Sequence, residues 1–263
     1  MKIATWNVNS IRSRLEHACQ WLTSNPVDVL CLQETKVVDP DFPQAAFEAL
    51  GYQVYISGQK SYNGVALLSR IPLDGVSIGF GSVLGEAASD LDEQKRVISG
   101  KLGELRIVDL YVPNGSEIGS EKYRYKLRWL ATLRDYLTAL LDQHSHLLVC
   151  GDFNVAPEDR DIHSPVGRET HIMASDAERQ ALSQALLDLG FVDAFRQFNS
   201  EAGQFTWWDY RTGAFQRDRG WRIDHHYLSP ALSPMSRSCT IDKTPRTWEK
   251  PSDHTPVIVE LDL

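Results

Sequence analysis

Apolar and polar positions along this chain follow two periods, and they switch repeatedly. Residues 2–8 (KIATWNV) alternate and then stop, as a strand does. Residues 10–24 set Ile11, Leu15, Ala18 and Leu22 at helical spacing, which predicts a helix over that range. Residues 27–34 (VDVLCLQE) are an apolar run of strand length, the signature of a strand buried on both faces. Residues 52–57 (YQVYIS) and 63–70 (NGVALLSR) predict two more strands, with turn signals at Gly58 and Asn63-Gly64. Residues 104–115 (ELRIVDLYVPNG) predict a strand closed by Pro113, Asn114 and Gly115. The longest helix is predicted over about 120–143, where Leu127, Leu130, Leu133, Leu137, Leu140 and Leu141 form a stripe. A buried strand, LLVC, follows and runs into Gly151, Asp152, Phe153 and Asn154. Ser175 and Glu178 make a capping-box pattern that opens a helix over 177–189, and Gly190 suits its end. RIDHHYLS (222–229) and TPVIVELDL (255–263) complete the set. Many strands, several amphipathic helices, no linker and no strict βαβ repeat predict a layered α/β or α+β fold in one domain, 1–263.

Composition narrows the class only a little. Apolar residues are 42 % and charged residues 24 %, ordinary for a globular protein. No stretch approaches the ~20 apolar residues that span a bilayer, and MKIATWNV lacks a signal peptide's apolar region. The cytoplasm is the expected compartment, with no membrane contact. Cys19, Cys31, Cys150 and Cys239 show no C-x-x-C spacing, and Cys31 and Cys150 lie in apolar runs as reduced core residues. The net charge of −8 argues mildly against a polyanionic partner. It does not exclude one, because acids gathered round a bound cation repel little.

The chemistry lies at the strand ends. Asn7 and Asn9 follow the first strand, Glu34 the second, Tyr111 sits near the end of IVDLYV, and Asp152 and Asn154 end LLVCGDFN. Asp224 lies in WRIDHHYLS, and Asp253-His254 in PSDHTPV. Each alone has an ordinary reading: turn residues for the asparagines, a surface strand end for Glu34, a core ring for Tyr111, a turn cap for Asp152, an Arg222 pair for Asp224, a satisfied ring for His254. Jointly they are acid, amide or imidazole at some six strand ends, where α/β folds collect ligands. A convergent set of hard oxygens with one imidazole suits Mg²⁺ or Mn²⁺ better than zinc.

The pieces TWNVNSIRSR, CLQETK, YVPNG, GDFNVAP, GWRIDHHYLS and KPSDHTPV resemble, in order, the motifs of exonuclease III type abasic-site endonucleases, members of the endonuclease/exonuclease/phosphatase superfamily. The resemblance runs from residue 3 to about 261. It implies a four-layer sandwich of two packed mixed β-sheets with helices outside, and a site at one edge. It implies hydrolysis of the phosphodiester 5′ to an abasic site in duplex DNA, leaving a 3′-hydroxyl, with 3′-phosphatase and 3′–5′ exonuclease activity beside it. A relative dominated by 3′-end processing is the alternative. Double-stranded DNA with abasic sites or blocked 3′ ends is the implied partner, and a monomer the expected state.

The resemblance also assigns roles. Glu34 is the expected direct Mg²⁺ ligand (Mn²⁺ can substitute), with Asn7 and Asn9 beside it holding the metal or its waters. Some relatives carry Asp where this chain has Asn9. Asp152 is the expected general base, and Asn154 holds the water or a phosphate oxygen. His254 stabilises phosphoryl charge, Asp253 orients its ring or reaches the metal, Asp224 sits close enough to affect the ring, and the Tyr111 hydroxyl meets a phosphate oxygen. Residues 204–224 hold three of the seven tryptophans and four arginines. Of these residues, Trp207, Trp221 and Ile223 are expected to line a pocket for the extruded sugar. Arg12, Arg14, Lys36, Arg96, Arg211, Arg217, Arg219, Lys243 and Lys250 are candidate phosphate contacts, which would make binding salt-dependent. The basic stretch EKYRYKLR (121–128) is expected to be a solvated helix face. His171, in a loop over 165–178, is expected near the cut strand, tuning abasic-site cleavage against 3′-end processing. Two other classes fit less well. A lipid or inositol phosphatase would lack the tryptophan-arginine loop, and a binding module without catalysis would not keep every catalytic position.

Overall fold

A computed structural model describes residues 1–263, with every side chain but that of Ala87. Twelve strands form two mixed six-stranded sheets. The first holds β1 (Lys2–Asn7), β2 (Val29–Gln33), β3 (Gln53–Ser57), β4 (Val65–Ser69), β11 (Ser236–Ile241) and β12 (Val257–Leu261), in the order β11-β12-β1-β2-β4-β3. The second holds β5 (Asp74–Ile78), β6 (Val97–Leu102), β7 (Leu105–Tyr111), β8 (His146–Asp152), β9 (Val192–Asp193) and β10 (Asp224–Leu228), in the order β5-β6-β7-β8-β10-β9. The helices are α1 (Leu15–Ser24), α2 (Gln44–Glu48), α3 (Gly81–Leu84), α4 (Glu121–Leu141), α5 (Asp176–Ala185) and α6 (Ala194–Phe198).

Each sheet contains one parallel pair at its centre, β1 with β2 and β7 with β8. A parallel pair needs a long crossover, and α1 and α4 supply the two. The sheets pack face to face through Ile3, Val29, Cys31 and Leu67 on one side and Ile98, Ile107, Leu148 and Cys150 on the other. The outer face of the first sheet (Ala4, Trp6, Leu30, Leu32) meets Ala18, Trp21 and Leu22 of α1. That of the second (Val108, Leu110, Val149) meets Leu130, Leu133 and Leu137 of α4. The result is the four-layer sandwich. Strands buried on both faces explain why VLCL and LLVC read as unbroken apolar runs. Each fully buried leucine of the α4 stripe contributes about 1.5–3 kcal/mol.

Three features differ from the sequence expectation. The first helix begins at Leu15 and not at Ser10. Ser10 N–H donates to Glu34 O (2.8 Å) and Ile11 N–H to Thr35 O (3.1 Å), so these residues extend the β1–β2 ladder before the helix starts. Strands β5, β6 and β11 escape the apolar pattern because glycine and serine interrupt them. The basic face of α4 is not wholly solvated, since Lys126 is fully buried and ion-paired with Glu178. Leu130, Leu133, Leu137 and Leu140 form the buried stripe as expected, but Leu127 is only half-buried, and helical geometry puts Lys126 in the inward position in its place.

Candidate active site

The two parallel pairs end at the same edge of the sandwich, so their carboxyl ends converge. On the second sheet Tyr111, Asp152 and Asp224 stand in register on β7, β8 and β10. Register partners share a face of the sheet, so three polar side chains form one row. Gly151 makes this approach possible. Its φ is +139°, and a Cβ there would lie 1.9 Å from Leu110 O on the neighbouring strand. Phe153 turns the other way, into the core under α4.

The first sheet brings Asn7 and Glu34 to that row. Asn7 Nδ2 donates to Glu34 Oε1 at 2.8 Å and to Asp152 Oδ2 at 2.9 Å. Asn9 Nδ2 donates to Asp253 Oδ1 at 2.9 Å, and Trp207 Nε1 donates to Asp253 Oδ2 at 3.0 Å. Lys36 Nζ reaches Asn9 Oδ1 (2.5 Å) and Glu34 Oε2 (2.8 Å). Asn154 donates its backbone N–H to Asp152 Oδ1 (2.9 Å) and its Nδ2 to Val112 O (3.0 Å). Asn9, Glu34, Lys36 and Asn154 all have φ between +45° and +56°. Left-handed backbone at a non-glycine residue costs on the order of 1–3 kcal/mol, and such strain gathers at functional sites.

His254 occupies the far side of the row. Its Nδ1 lies 2.9 Å from Asp224 Oδ2, and its Nε2 lies 3.7 Å from Asp152 Oδ2. Burial opposes a charge on the ring, but Asp224 and Asp152 outweigh it and lift His254 to about 10. Burial pushes Asp152 up to about 7, against the pull of His254 and with help from Asp224 and Glu34. The two carboxylates thus favour the charged imidazole, and Asp152 faces its Nε2. Burial also works against the Asp253 charge, yet His254 and the amide and indole donors hold its carboxyl below the usual range. Tyr111 is pushed well up by burial, then by Glu34 and Asp152, so its hydroxyl keeps its proton and can donate.

Ligand atoms of Glu34, Asp152 and His254 all lie within 4.8 Å of one another. His254 already spends Nδ1 on Asp224, so the available donors are mostly oxygens: Glu34 and Asp152, with the Asn7, Asn9 and Asp253 side chains alongside. That donor chemistry fits a hard divalent cation.

The remaining candidates fall into two groups. Trp207, Trp221 and His171, with Ile172, Met173 and Arg219, line a cavity of about 350 Å³ next to His254. Isolated bridges from Trp207 to Trp221 and to His254 set this wall against the site. Ile223 lies fully buried and does not line the cavity, because Trp221, Trp207 and Met173 pack over it in the same apolar cluster. Arg96 stacks 4.5 Å over the Tyr111 ring and donates to Tyr111 O (3.1 Å), beside a groove of about 750 Å³. Arg211 and Arg217 are exposed, and Arg211 pairs with Asp209 (3.4 Å) on the outside of the loop. Arg14 is spent on Asn9 O (2.6 Å), Pro251 O (3.0 Å) and Tyr210, a scaffold for the Asn9 turn. Arg222 does not pair with Asp224. It is buried and bonded to Asp161 (2.6 Å) and Asp193 (2.7 Å) on the opposite face. It is Asp224, not Asp253, that meets the Nδ1 of His254.

Two residues at the site were not singled out from sequence. Thr206 Oγ1 donates to Asp224 Oδ2 at 2.6 Å, and Asn114 Nδ2 to Asn154 Oδ1 at 3.0 Å. Asn114 sits in the YVPNG piece, where its turn chemistry masks a side-chain role. Thr206 carries no local signal at all.

A layered sandwich with an oxygen-rich, imidazole-flanked cluster at one edge defines a metal-assisted phosphoester hydrolase. Comparison makes this specific, since residues 4–254 match the Endonuclease/Exonuclease/phosphatase family, and the chain belongs to it. An exodeoxyribonuclease III from Haemophilus influenzae is 35 % identical, covering 99 % of this chain and 100 % of the relative. The 3′ phosphatase NExo from Neisseria, solved with a product DNA hairpin, superposes with a TM-score of 0.94 at 40 % identity over 100 % of both chains. An AP endonuclease from Archaeoglobus fulgidus superposes at 0.93 with 42 % identity, again over 100 % of both. The chain is a hydrolytic nuclease of this family.

Proposed function

We propose that this nuclease is a Mg²⁺-dependent DNA-repair enzyme. It hydrolyses the phosphodiester 5′ to an abasic site in duplex DNA, leaves a 3′-hydroxyl, and clears blocked 3′ ends with the same residues. The observation that carries this is the Asn7 contact to both Glu34 and Asp152, set within reach of His254 and beside an aromatic cavity. Glu34 would hold the cation, with Asn7, Asn9 and Asp253 holding it or its waters. When bound it would supply charge neutralisation at the phosphoryl and leaving oxygens.

The chain's own residues account for the rest. Asp152, oriented by Asn7 and Asn154, takes the proton of the attacking water. Asn154 holds that water or a phosphate oxygen. The His254 cation and the Tyr111 hydroxyl stabilise charge on the phosphoryl oxygens, a kind of contact worth about 3 kcal/mol of barrier. Trp207 and Trp221 enclose the baseless sugar, and Arg96, Lys36 and the loop arginines lie along the approach of the backbone. The protein works as a monomer, and its buried free thiols Cys31, Cys150 and Cys239 fit a reducing cytoplasm.

One observation favours a second emphasis. His171 stands at the cavity wall with its ring 6.4 Å from that of Trp221. A ring there narrows the space for an extruded sugar, which tilts the balance toward 3′-end processing. Gel cleavage of a duplex with an abasic analogue, and of one with a 3′-phosphate, each with Mg²⁺ or EDTA, tests both readings. Mg²⁺-dependent product on either substrate is expected, and none on both would sink the proposal. His171→Gly is expected to raise the ratio of abasic cleavage to 3′-phosphate removal, and an unchanged ratio would remove the role of His171.

A further inference from the structure

We propose that Lys126 is a positioning residue for Asn154, and that Glu178 locks it in place while holding the wall of the aromatic cavity. This rests on the reading of Asn154 as the residue that holds the attacking water or a phosphate oxygen. Lys126 lies on α4, fully buried, at a position where an apolar side chain would join the stripe of Leu130 and Leu133. A buried ion pair costs desolvation that a leucine would not, so its presence calls for a specific use.

The contacts supply one. The ammonium has three donors, and all three are placed. One goes to Asn154 O at 2.7 Å, one to Asn114 O at 3.1 Å, and one to Glu178 Oε1 at 2.5 Å. The first two are the backbone carbonyls of the very residues whose side chains pair with each other at 3.0 Å. Asn154 sits at φ +49°, a conformation that must be held from outside the residue. Lys126 grips the carbonyl side of that residue, while Asp152 Oδ1 holds its N–H.

Glu178 extends the grip to the cavity. Its Oε1 also accepts Met173 N–H (3.0 Å), and its Oε2 accepts Ser175 N–H (3.1 Å) and Ser175 Oγ (2.6 Å). Met173 lines the cavity with His171 and Trp221, and its own φ is +70°. Met173 O in turn accepts Ala156 N–H (2.8 Å), two residues beyond Asn154. One buried ion pair thus joins the turn that presents Asn154 to the loop that shapes the sugar cavity.

A double-mutant cycle on the full chain tests this, with kcat and KM measured on the abasic-analogue duplex in Mg²⁺. Lys126→Met is expected to lower kcat roughly 10- to 100-fold with KM little changed, as loss of an outer support for a site residue does. If Lys126 acts through Asn154, the double variant Lys126→Met/Asn154→Ala is no slower than Asn154→Ala alone. Losses that multiply independently, or an unchanged kcat in a folded Lys126→Met, would overturn the proposal. Should Lys126→Met lose cooperative thermal unfolding, Glu178→Gln carries the same cycle, because it neutralises the pair while keeping an acceptor for Ser175 N–H. Glu178→Gln is also expected to shift the ratio of abasic cleavage to 3′-phosphate removal, and a constant ratio would overturn the cavity half. An Asn154→Ala variant as fast as the unsubstituted chain would instead remove the reading of Asn154 beneath it, an outcome visible before any Lys126 variant is made.

Discussion

Asp224 Oδ2 lies 2.9 Å from His254 Nδ1, and Thr206 Oγ1 donates to that same oxygen at 2.6 Å. The carboxylate is thus fixed by the hydroxyl and fixes the ring in turn, with Nε2 left facing Asp152. Asp224→Asn removes the charge that keeps the imidazole protonated but leaves its shape. We expect kcat to fall roughly 10- to 100-fold, with DNA affinity nearly unchanged. Steady-state kinetics with a binding titration checks this, and an unaltered kcat would detach Asp224 from the reaction.

Asp152→Asn keeps the hydrogen bonds that an amide can accept from Asn7 and Asn154 and removes the proton acceptor. The expected loss in kcat is about 10²–10⁴-fold, the usual contribution of a positioned general base. Duplex binding should persist. A variant that turned over near the normal rate would transfer the base role elsewhere.

Glu34 is bonded to Asn7 and Lys36, and its backbone is held by Ser10 N–H. Glu34→Gln keeps size and removes the charge that attracts a cation. EDTA should abolish cleavage, Mg²⁺ should restore it, and Glu34→Gln should shift the Mg²⁺ requirement to higher concentration. A Mg²⁺ titration with the same midpoint in both proteins would argue against Glu34 as the ligand.

Two buried histidines on β10 with no assigned part in the chemistry predict an acid limit to stability. Burial lowers His226 from 6.5 to about 4, with Nε2 donating to Val257 O at 3.0 Å. Burial, then Arg222, lowers His225 to about 4 as well. A depressed histidine is neutral in the fold and takes a proton first in the unfolded chain. Its stabilising effect is complete above pH 6.5 and is lost as pH falls from 6.5 toward 4. At pH 5 each ring should cost about 2 kcal/mol relative to neutrality. Denaturant unfolding at pH 7 and pH 5 measures this. His226→Gln, which keeps the donor to Val257 O, should shrink the difference by about that amount, and an undiminished difference would count against the His226 share.

Much of the site was legible because it is built at strand ends. An apolar run that stops in Asp152 or Glu34 reports both a buried strand and its odd terminus, and six such termini are enough to imply convergence. The positions with no such frame were less readable. Thr206 and Asn114 act through neighbours far along the chain, Ile223 falls beneath the cavity and not into it, and Lys126 reads as a surface charge although it is buried.

The sequence by itself determined the strands that carry the site (β1, β2, β7, β8 and β10), the two crossover helices and the residue types at each strand end, because side-chain periodicity and turn chemistry are local. Only the tertiary structure decided that Asp224 and not Asp253 holds His254, that Arg222 turns away toward Asp161 and Asp193, and that Lys126 reaches the carbonyl of Asn154. Those choices depend on the pairing register between strands and on the rotation of α4 over its sheet. A shift of one residue in strand register would send the same side chains to the opposite face, and one residue along α4 would turn Lys126 about 100° away.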